Sequence, residues 1–311
     1  MSNASPSEST DRPEFAGENR ARTVKERAIE WVLFACAALS VVVTVAIVGT
    51  LLFDALDFFT RVSPVAFFTG TNWSPAIKDE FGVLPLVTNT LAVTALSALI
   101  AVPIGTASAA YLSEYASDRV RSILKPALEV LAGIPTVVYG FFALVYLTPA
   151  LQAIGIPVST FNLLSASIMV GVMIIPMVAS LSEDAMSAVP DSLRQGAYGL
   201  GATKFEVTTG VVIPAAVSGI FSSFILALSR AIGETMIVVV AAGQTPRLVP
   251  NPYKSIETMT AGMVELATGD IAGGGTEYQA LFAIGLTLFV ITFAMNVVSN
   301  VVAARYREEY R

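Results

Sequence analysis

Apolar and polar stretches alternate along the chain in a coarse rhythm. Six apolar runs lie near residues 30 to 53, 84 to 112, 126 to 148, 160 to 182, 215 to 242 and 279 to 304, with polar segments between them. Each run has about the 20 residues that a helix needs to cross a hydrocarbon core of about 30 Å. Backbone amides without partners are untenable in lipid, so runs of this length predict helices. The expected fold class is all-α, a polytopic membrane protein with six transmembrane helices. The first 28 residues, rich in Ser, Glu and Arg, predict a disordered tail, and the first run predicts an uncleaved signal anchor. The expected division is a tail over 1–28, a transmembrane domain over 29–305 that includes a polar loop at 183–213, and a second tail over 306–311.

Among the other connections, 54–83 and 243–278 are long and 149–159 is short. In the last long one, Ile256, Met259, Met263 and Leu266 recur at spacings of three and four. Residues 255–270 therefore predict an amphipathic helix lying against the membrane face or the span ends. The stretch "IAGGGT" at 271–276 predicts a flexible linker. Docking of an external partner and plain connection both suit such loops.

Composition agrees with this reading. Of 311 residues, 54% are apolar and 14% charged, against roughly a quarter charged in soluble domains. One cysteine, Cys36, rules out an intramolecular disulfide, and the absence of histidine removes the commonest metal ligand and His-based acid–base chemistry. No cofactor or metal is expected. Lys and Arg then orient the chain. With the N-terminus inside, 13 of the 18 basic residues fall on cytoplasmic segments, four (Arg61, Lys78, Arg247, Lys254) fall outside, and Arg230 stays within the membrane. The positive-inside rule thus predicts both termini in the cytoplasm. Trp31, Tyr111, Tyr115, Tyr278 and Tyr306 stand near span ends, where amphipathic rings favour the headgroup region.

The most specific pattern lies in the cytoplasmic loop. "QGAYGLGATKFEVTTGVVIPAA" starts at Gln195, with small residues at Gly196 and Ala197, Gly201 four residues after Ala197, Val211 and Ile213 further on, and Pro214 at the end. It predicts a short helix, a glycine-bearing turn at 199–201, a second short helix, and a proline entering the fifth span. Small residues allow close approach of another backbone and Phe205 offers an apolar anchor, as in a helix seated in a partner's groove. The spacing resembles the EAA loop of ABC importer permeases, which docks into the ATPase subunit, with Gln195-Gly196-Ala197 standing where that pattern has Glu-Ala-Ala. "FFTGTNWSP" at 67–75, "EFGVLPLVTNTL" at 80–91, "LAGIPTVVYGFFAL" at 131–144 and "SRAIGETMIVVVAAG" at 229–243 resemble permease subunits of phosphate-specific (Pst) ABC transporters. The first two favour the PstC type over PstA. The resemblance implies a type I, MetI-like permease in the plasma membrane. It also implies a second permease subunit (PstA-like), cytoplasmic ATP-binding subunits (PstB-like) and an external phosphate-binding protein (PstS-like), with no role for nucleic acid.

Arg230 and Glu234 lie in an otherwise apolar run. On one helix they would be a turn apart and share a face. An arginine near the middle of a span costs about 2.5 to 3.5 kcal/mol on insertion scales, so it should meet a partner or a watery path. Two readings follow: a mutually neutralising buried pair, or a guanidinium fork for a tetrahedral oxyanion, with Glu234 holding Arg230 between substrates and Gly233 removing bulk beside them. Pro103, Pro135 and Pro176 interrupt the second, third and fourth runs, fitting either kinks around a central path or ordinary packing. Gly133, Thr136, Tyr139 and Gly140 are the residues near Pro135 that would line a path. Thr88, Asn89 and Thr90 would form a polar entrance, and Asn296 and Asn300 would bond to a neighbouring helix.

No Walker phosphate loop occurs in the chain, so ATP must be hydrolysed by another subunit. No nucleophile–base pair or paired catalytic carboxylates appear in the spans, and the chain is expected to be a transport subunit and not an enzyme. The expected function is a permease half of an ATP-driven phosphate importer. The alternatives are another oxyanion (sulfate, molybdate or phosphonate) or an ATP-independent secondary anion transporter.

Overall fold

The computed structural model describes residues 20–269 and 275–305. Residues 1–19 of the first expected tail, all of the second (306–311, with Tyr306) and most of the 271–276 linker lie outside these residues, as does the side chain of Asn300. Five helical stretches are long and apolar enough to cross a membrane: Lys25–Arg61, Leu84–Tyr115, Thr136–Ala153, Leu163–Ser187 and Thr276–Val298. A sixth arises if Lys204–Ala215 and Val217–Ile232, bent by 70° at their junction, count as one span.

Helix α1 runs Arg20–Arg61. Up to Thr50 it forms a unit of its own, with Leu33, Phe34, Val41 and Val45 exposed as lipid-facing side chains would be. From Leu51 onward the chain forms a second unit. Its first part is an aromatic knot: the last turns of α1, helix α2 (Pro64–Thr69), strand β1 (Trp73–Ser74), helix α3 (Pro75–Lys78) and strand β2 (Glu80–Phe81). The strands pair antiparallel, Trp73 opposite Phe81. Phe58 meets Phe67 and Phe81 edge to face, with both centroid distances 5.4 Å, a geometry that suits aromatic quadrupoles. Gly70 and Gly82 touch backbone to backbone, so that a Cβ on Gly82 would lie 2.4 Å from the Gly70 carbonyl carbon.

Helix α4 (Leu84–Ala110) continues through a π-turn at Tyr111–Tyr115. It packs along α8 (Leu163–Ser187), and the approach is close because small residues line the seam. A Cβ on Gly105 would stand 2.7 Å from Val178 Cβ, and the Ser97 hydroxyl donates to the Ser167 carbonyl at 2.9 Å.

The run at 126–148 is broken after Gly133 and is not one span. Helix α5 (Asp118–Gly133), capped by Ser117, is amphipathic and buries none of its residues. Ile134 and Pro135 are extended, and helix α6 (Thr136–Phe142) starts afresh, followed by a π-turn at Ala143–Leu147 and helix α7 (Thr148–Ala153). The cause is Pro135, whose ring disfavours helical backbone at the preceding residue. Hydropathy does not register such a break. Ion pairs tie α5 to α8: Glu183, fully buried, binds Arg121 and, at 2.8 Å, the Lys125 ammonium. That hydrogen bond raises the Lys125 pKa above its ordinary value.

The polar loop holds helices α9 (Asp191–Gly199) and α10 (Lys204–Val207), a π-turn at Thr208–Val212 and the single turn α11 (Ile213–Ala215). Helix α12 (Val217–Ile232) stops before Gly233, and α13 (Met236–Ala241) follows. The expected amphipathic helix is α14 (Met259–Thr268), with Met259 and Leu266 buried against α4 and α15 (Thr276–Arg305); Ile256 is buried just ahead of it. Asn296 bonds to the Thr292 carbonyl of its own helix, not to a neighbour.

Candidate functional site

The fifth run breaks in the middle of "SRAIGETM". Gly233, a poor helix former, follows the last turn of α12, and Glu234 and Thr235 lie outside helix. Arg230 and Glu234 therefore do not share one helical face, as an unbroken helix would require. Arg230 is exposed in the last turn of α12, and among the described residues no ion pair or side-chain hydrogen bond engages it. Glu234 is buried, and its Oε1 accepts from the Ile237 amide at 3.2 Å. Each charge thus sits at a helix end that suits it, the cation at the C-terminus of α12 and the carboxylate at the N-terminus of α13.

The segment 256–260 braces this break. The Thr260 hydroxyl donates to the Glu234 carbonyl at 2.7 Å, and the Ile256 amide donates to the Ala242 carbonyl at 3.0 Å. From α4, Asn89 Nδ2 donates to the Glu257 carbonyl at 3.0 Å, and the Thr90 hydroxyl accepts from the Met259 amide at 2.9 Å. Asn89 and Thr90 are consequently buried fasteners for the loop and not an open entrance; Thr88 is partly exposed beside them. Sequence reasoning passed over Glu257. The residue is 1% exposed. Burial, and then the neighbouring Glu265, push its carboxyl up to about 8. Among the described residues its Oε1 and the Asn89 Oδ1 have no hydrogen-bond partner. The one sequence signal was an acid within an apolar periodicity.

Helix α6 packs on α13 directly: a Cβ on Gly140 would be 3.1 Å from Ile237 Cα. Gly140 thus serves helix contact and not a lining. Thr136 is half-buried; Tyr139 is buried, and its hydroxyl donates to the Leu131 carbonyl at 2.7 Å, bridging the Pro135 break. Gly133 has open space where a Cβ would be.

In the polar loop, Gly201 adopts φ +86° and turns the chain between α9 and α10, a conformation open to glycine at no steric cost. Thr203 and Glu206 form a capping box that starts α10. Leu200 is 91% and Phe205 68% exposed, Gln195, Gly196 and Pro214 are exposed, Ala197 is half-buried, and nothing lies near the place of a Gly196 Cβ. The loop therefore presents an open apolar face beside small residues.

A membrane helix interrupted at a lone arginine, joined to a loop with an exposed apolar face, is an arrangement suited to transport. The model of the binding-protein-dependent transport system inner membrane component matches residues 101–308, which contain both features. The chain belongs to this family. Sequence relatives of the permease refine the assignment. It is 36% identical over 277 residues to a probable ABC transporter permease protein, YqgH, of Bacillus subtilis, covering 88% of this chain and 89% of that one. It is 34% identical over 259 residues to the phosphate transport system permease protein PstC of Mesorhizobium japonicum, covering 77% and 78%. The PstC protein of Haemophilus influenzae is 32% identical over 262 residues, covering 78% and 82%. The permease is of the PstC type.

Among solved structures, a bacterial ABC transporter involved in import of the acidic polysaccharide alginate matches with TM-score 0.64, covering 92% of this chain and all of that one at 16% identity. The MetNI methionine ABC transporter matches with TM-score 0.55, covering 73% and 95% at 15% identity. The fold is therefore that of ABC importer permeases of the MetI-like kind. It follows that this is a multi-pass protein of the cell membrane and a transport subunit, working with an ATPase and a substrate-binding protein.

Proposed function

We propose that the permease is half of the translocation pathway of an ATP-driven importer of inorganic phosphate. The relatives' names supply the substrate class, and Arg230 carries the chemistry. A guanidinium without an ionic partner among the described residues, at the interruption of a membrane helix, is a cost that a bound anion offsets. Its planar fork fits two oxygens of a tetrahedral oxyanion. Glu234 acts by capping α13, and with Gly233 it keeps α12 from running on, so Arg230 stays at a helix end. Thr136 and Tyr139 belong to the pathway from α6, where Tyr139 shares an apolar cluster with Ala231 and Ile237 on the two sides of the break. Both termini lie in the cytoplasm, with the tails 1–28 and 306–311 flanking the 29–305 permease domain. The loops at 54–83 and 243–278 meet a PstS-like phosphate-binding protein. The 183–213 loop and its end at Pro214 seat a PstB-like ATPase through Gln195, Gly196, Ala197, Gly201 and Phe205. A PstA-like subunit or a second copy completes the path.

The test is ATP-dependent uptake of labelled phosphate into vesicles carrying the assembled complex, with sulfate and molybdate as competitors. Uptake should saturate, and Arg230→Lys and Arg230→Gln should lower it about tenfold or more while the complex still assembles, as expected for a lost charged contact. Normal uptake by both variants would remove Arg230 from the path. Stronger competition by sulfate or molybdate than by unlabelled phosphate would reassign the substrate to that oxyanion.

A further inference from the structure

Helix α9, the first helix of the loop that the proposed function assigns to ATPase docking, buries none of its nine residues. Its polar tie to the spans is one side chain, set beside the packing of Leu193 and Ala197 against the apolar cluster that holds Ala109, Met186 and Ile220. Arg194 is 14% exposed, and its partner Glu114, in the π-turn that ends α4, is 5% exposed. Arg194 Nε and Nη2 both donate to Glu114 Oε1, at 3.3 and 3.0 Å. Nη2 also donates to the Met186 carbonyl at 2.8 Å, and Nη1 donates to the Val189 carbonyl and, at 3.1 Å, to Asp191. Ser113 adds a further donor to Glu114 Oε1. Met186 lies in the last turn of α8 and Val189 two residues beyond it, at a helix C-terminus where a cation is favoured. The guanidinium therefore grips α4 through a carboxylate and α8 through its end. A lysine, a point charge with three donors, cannot copy that grip.

From this grip a continuous set of bonds leads to the break in the fifth run. α4 and α8 are locked side by side at Gly105–Val178 and Ser97–Ser167. Some 25 residues from Glu114, roughly 35 Å along a helix, α4 holds the 257–259 segment through Asn89 and Thr90, and Thr260 holds the Glu234 carbonyl. We propose that Arg194 is a positioning residue that transmits movement of the ATPase-docking helix through Glu114 and α4 to the Gly233–Glu234 break beside Arg230. This rests on the reading of residues 195–214 as the docking loop.

The experiment uses the reconstituted complex and three readouts: retention of the ATPase subunit, ATP hydrolysis rate, and phosphate moved per ATP hydrolysed. In Arg194→Gln the ATPase should remain bound and hydrolysing, while phosphate moved per ATP falls about tenfold, the scale of a typical coupling between sites. Arg194→Lys and Glu114→Gln, which keep part of the grip, should fall between that variant and wild type. An unchanged ratio in both Arg194→Gln and Glu114→Gln overturns the proposal. So does loss of the bound ATPase in Glu114→Gln, which would make the grip a matter of loop folding alone. Phe205→Asp separates the underlying reading: if it keeps the ATPase bound and coupled, the docking loop is misassigned, whatever the Arg194 variants do.

Discussion

A carboxylic acid shut away from water is a group that folding holds in its protonated form. Glu257 is such a group, its carboxyl pushed up to about 8 from an ordinary value of 4.5 by burial and by Glu265. Between those two values the folded chain keeps a proton that the unfolded chain has given up. Folding stability therefore falls as pH rises across that window. Thermal unfolding of the purified permease should show a melting temperature that declines from about pH 5 to about pH 8. Glu257→Gln should flatten the decline, and an unchanged slope in that variant would refute the assignment. At this scale the sequence disclosed Arg230 readily, because a charge inside an apolar run stands out. It did not disclose Glu257, because hydropathy treats an acid between spans as solvated and contains nothing about Asn89 and Thr90 drawing the loop inward. Tyr139 stands one turn after Pro135, and its hydroxyl is spent on the Leu131 carbonyl, a pairing between two elements that the apolar run presents as one.

Elements met by close approach are sensitive to a single methyl group. A Cβ on Gly105 would collide with both Val178 Cβ and Cγ1 at 2.7 Å, and neither lies at the far end of a flexible side chain. Gly105→Ala should force α4 from α8 and destabilise the fold by about 1 to 3 kcal/mol, the usual cost of overpacking. A thermal shift assay in lipid nanodiscs checks this, and a melting temperature equal to wild type would mean that the seam is looser than it looks. The apolar runs predicted the long helices well, since length and hydrophobicity are what lipid selects. They failed at two junctions, 133–136 and 232–236, where Pro135 and Gly233 interrupt helices without lowering the apolar content. In the loop the prediction held better: the small residues and Gly201 foretold a helix, a turn and a second helix, and α9 and α10 have that order.

For the whole molecule, the exposed apolar surface of α1 up to Thr50, and separately that of α15 at Val290, Phe293 and Val297, is what a bilayer and neighbouring subunits would cover. The distribution of Lys and Arg supports the proposed orientation of that surface. With Cys36 replaced, a single cysteine placed between residues 199 and 203 should react with an impermeant thiol reagent only from the cytoplasmic side, and one placed between 249 and 253 only from outside. Labelling of the first from outside would invert the proposed topology. The overall architecture was thus open to reading from the apolar rhythm, whereas the link from loop to break depends on side-chain bonds between residues such as Arg194 and Glu114, 80 positions apart. One further consequence attaches to the π-turn at Tyr111–Tyr115. A π-turn accommodates one residue more than an α-helical turn, and each residue counts for about 100° of rotation. A relative lacking that residue would keep the same hydropathy profile and the same span, yet its acid would come round on another side of the helix. Insertions and deletions at this one turn therefore decide which relatives can make the Arg194 grip, and an alignment that leaves out the offset would pair the wrong residues.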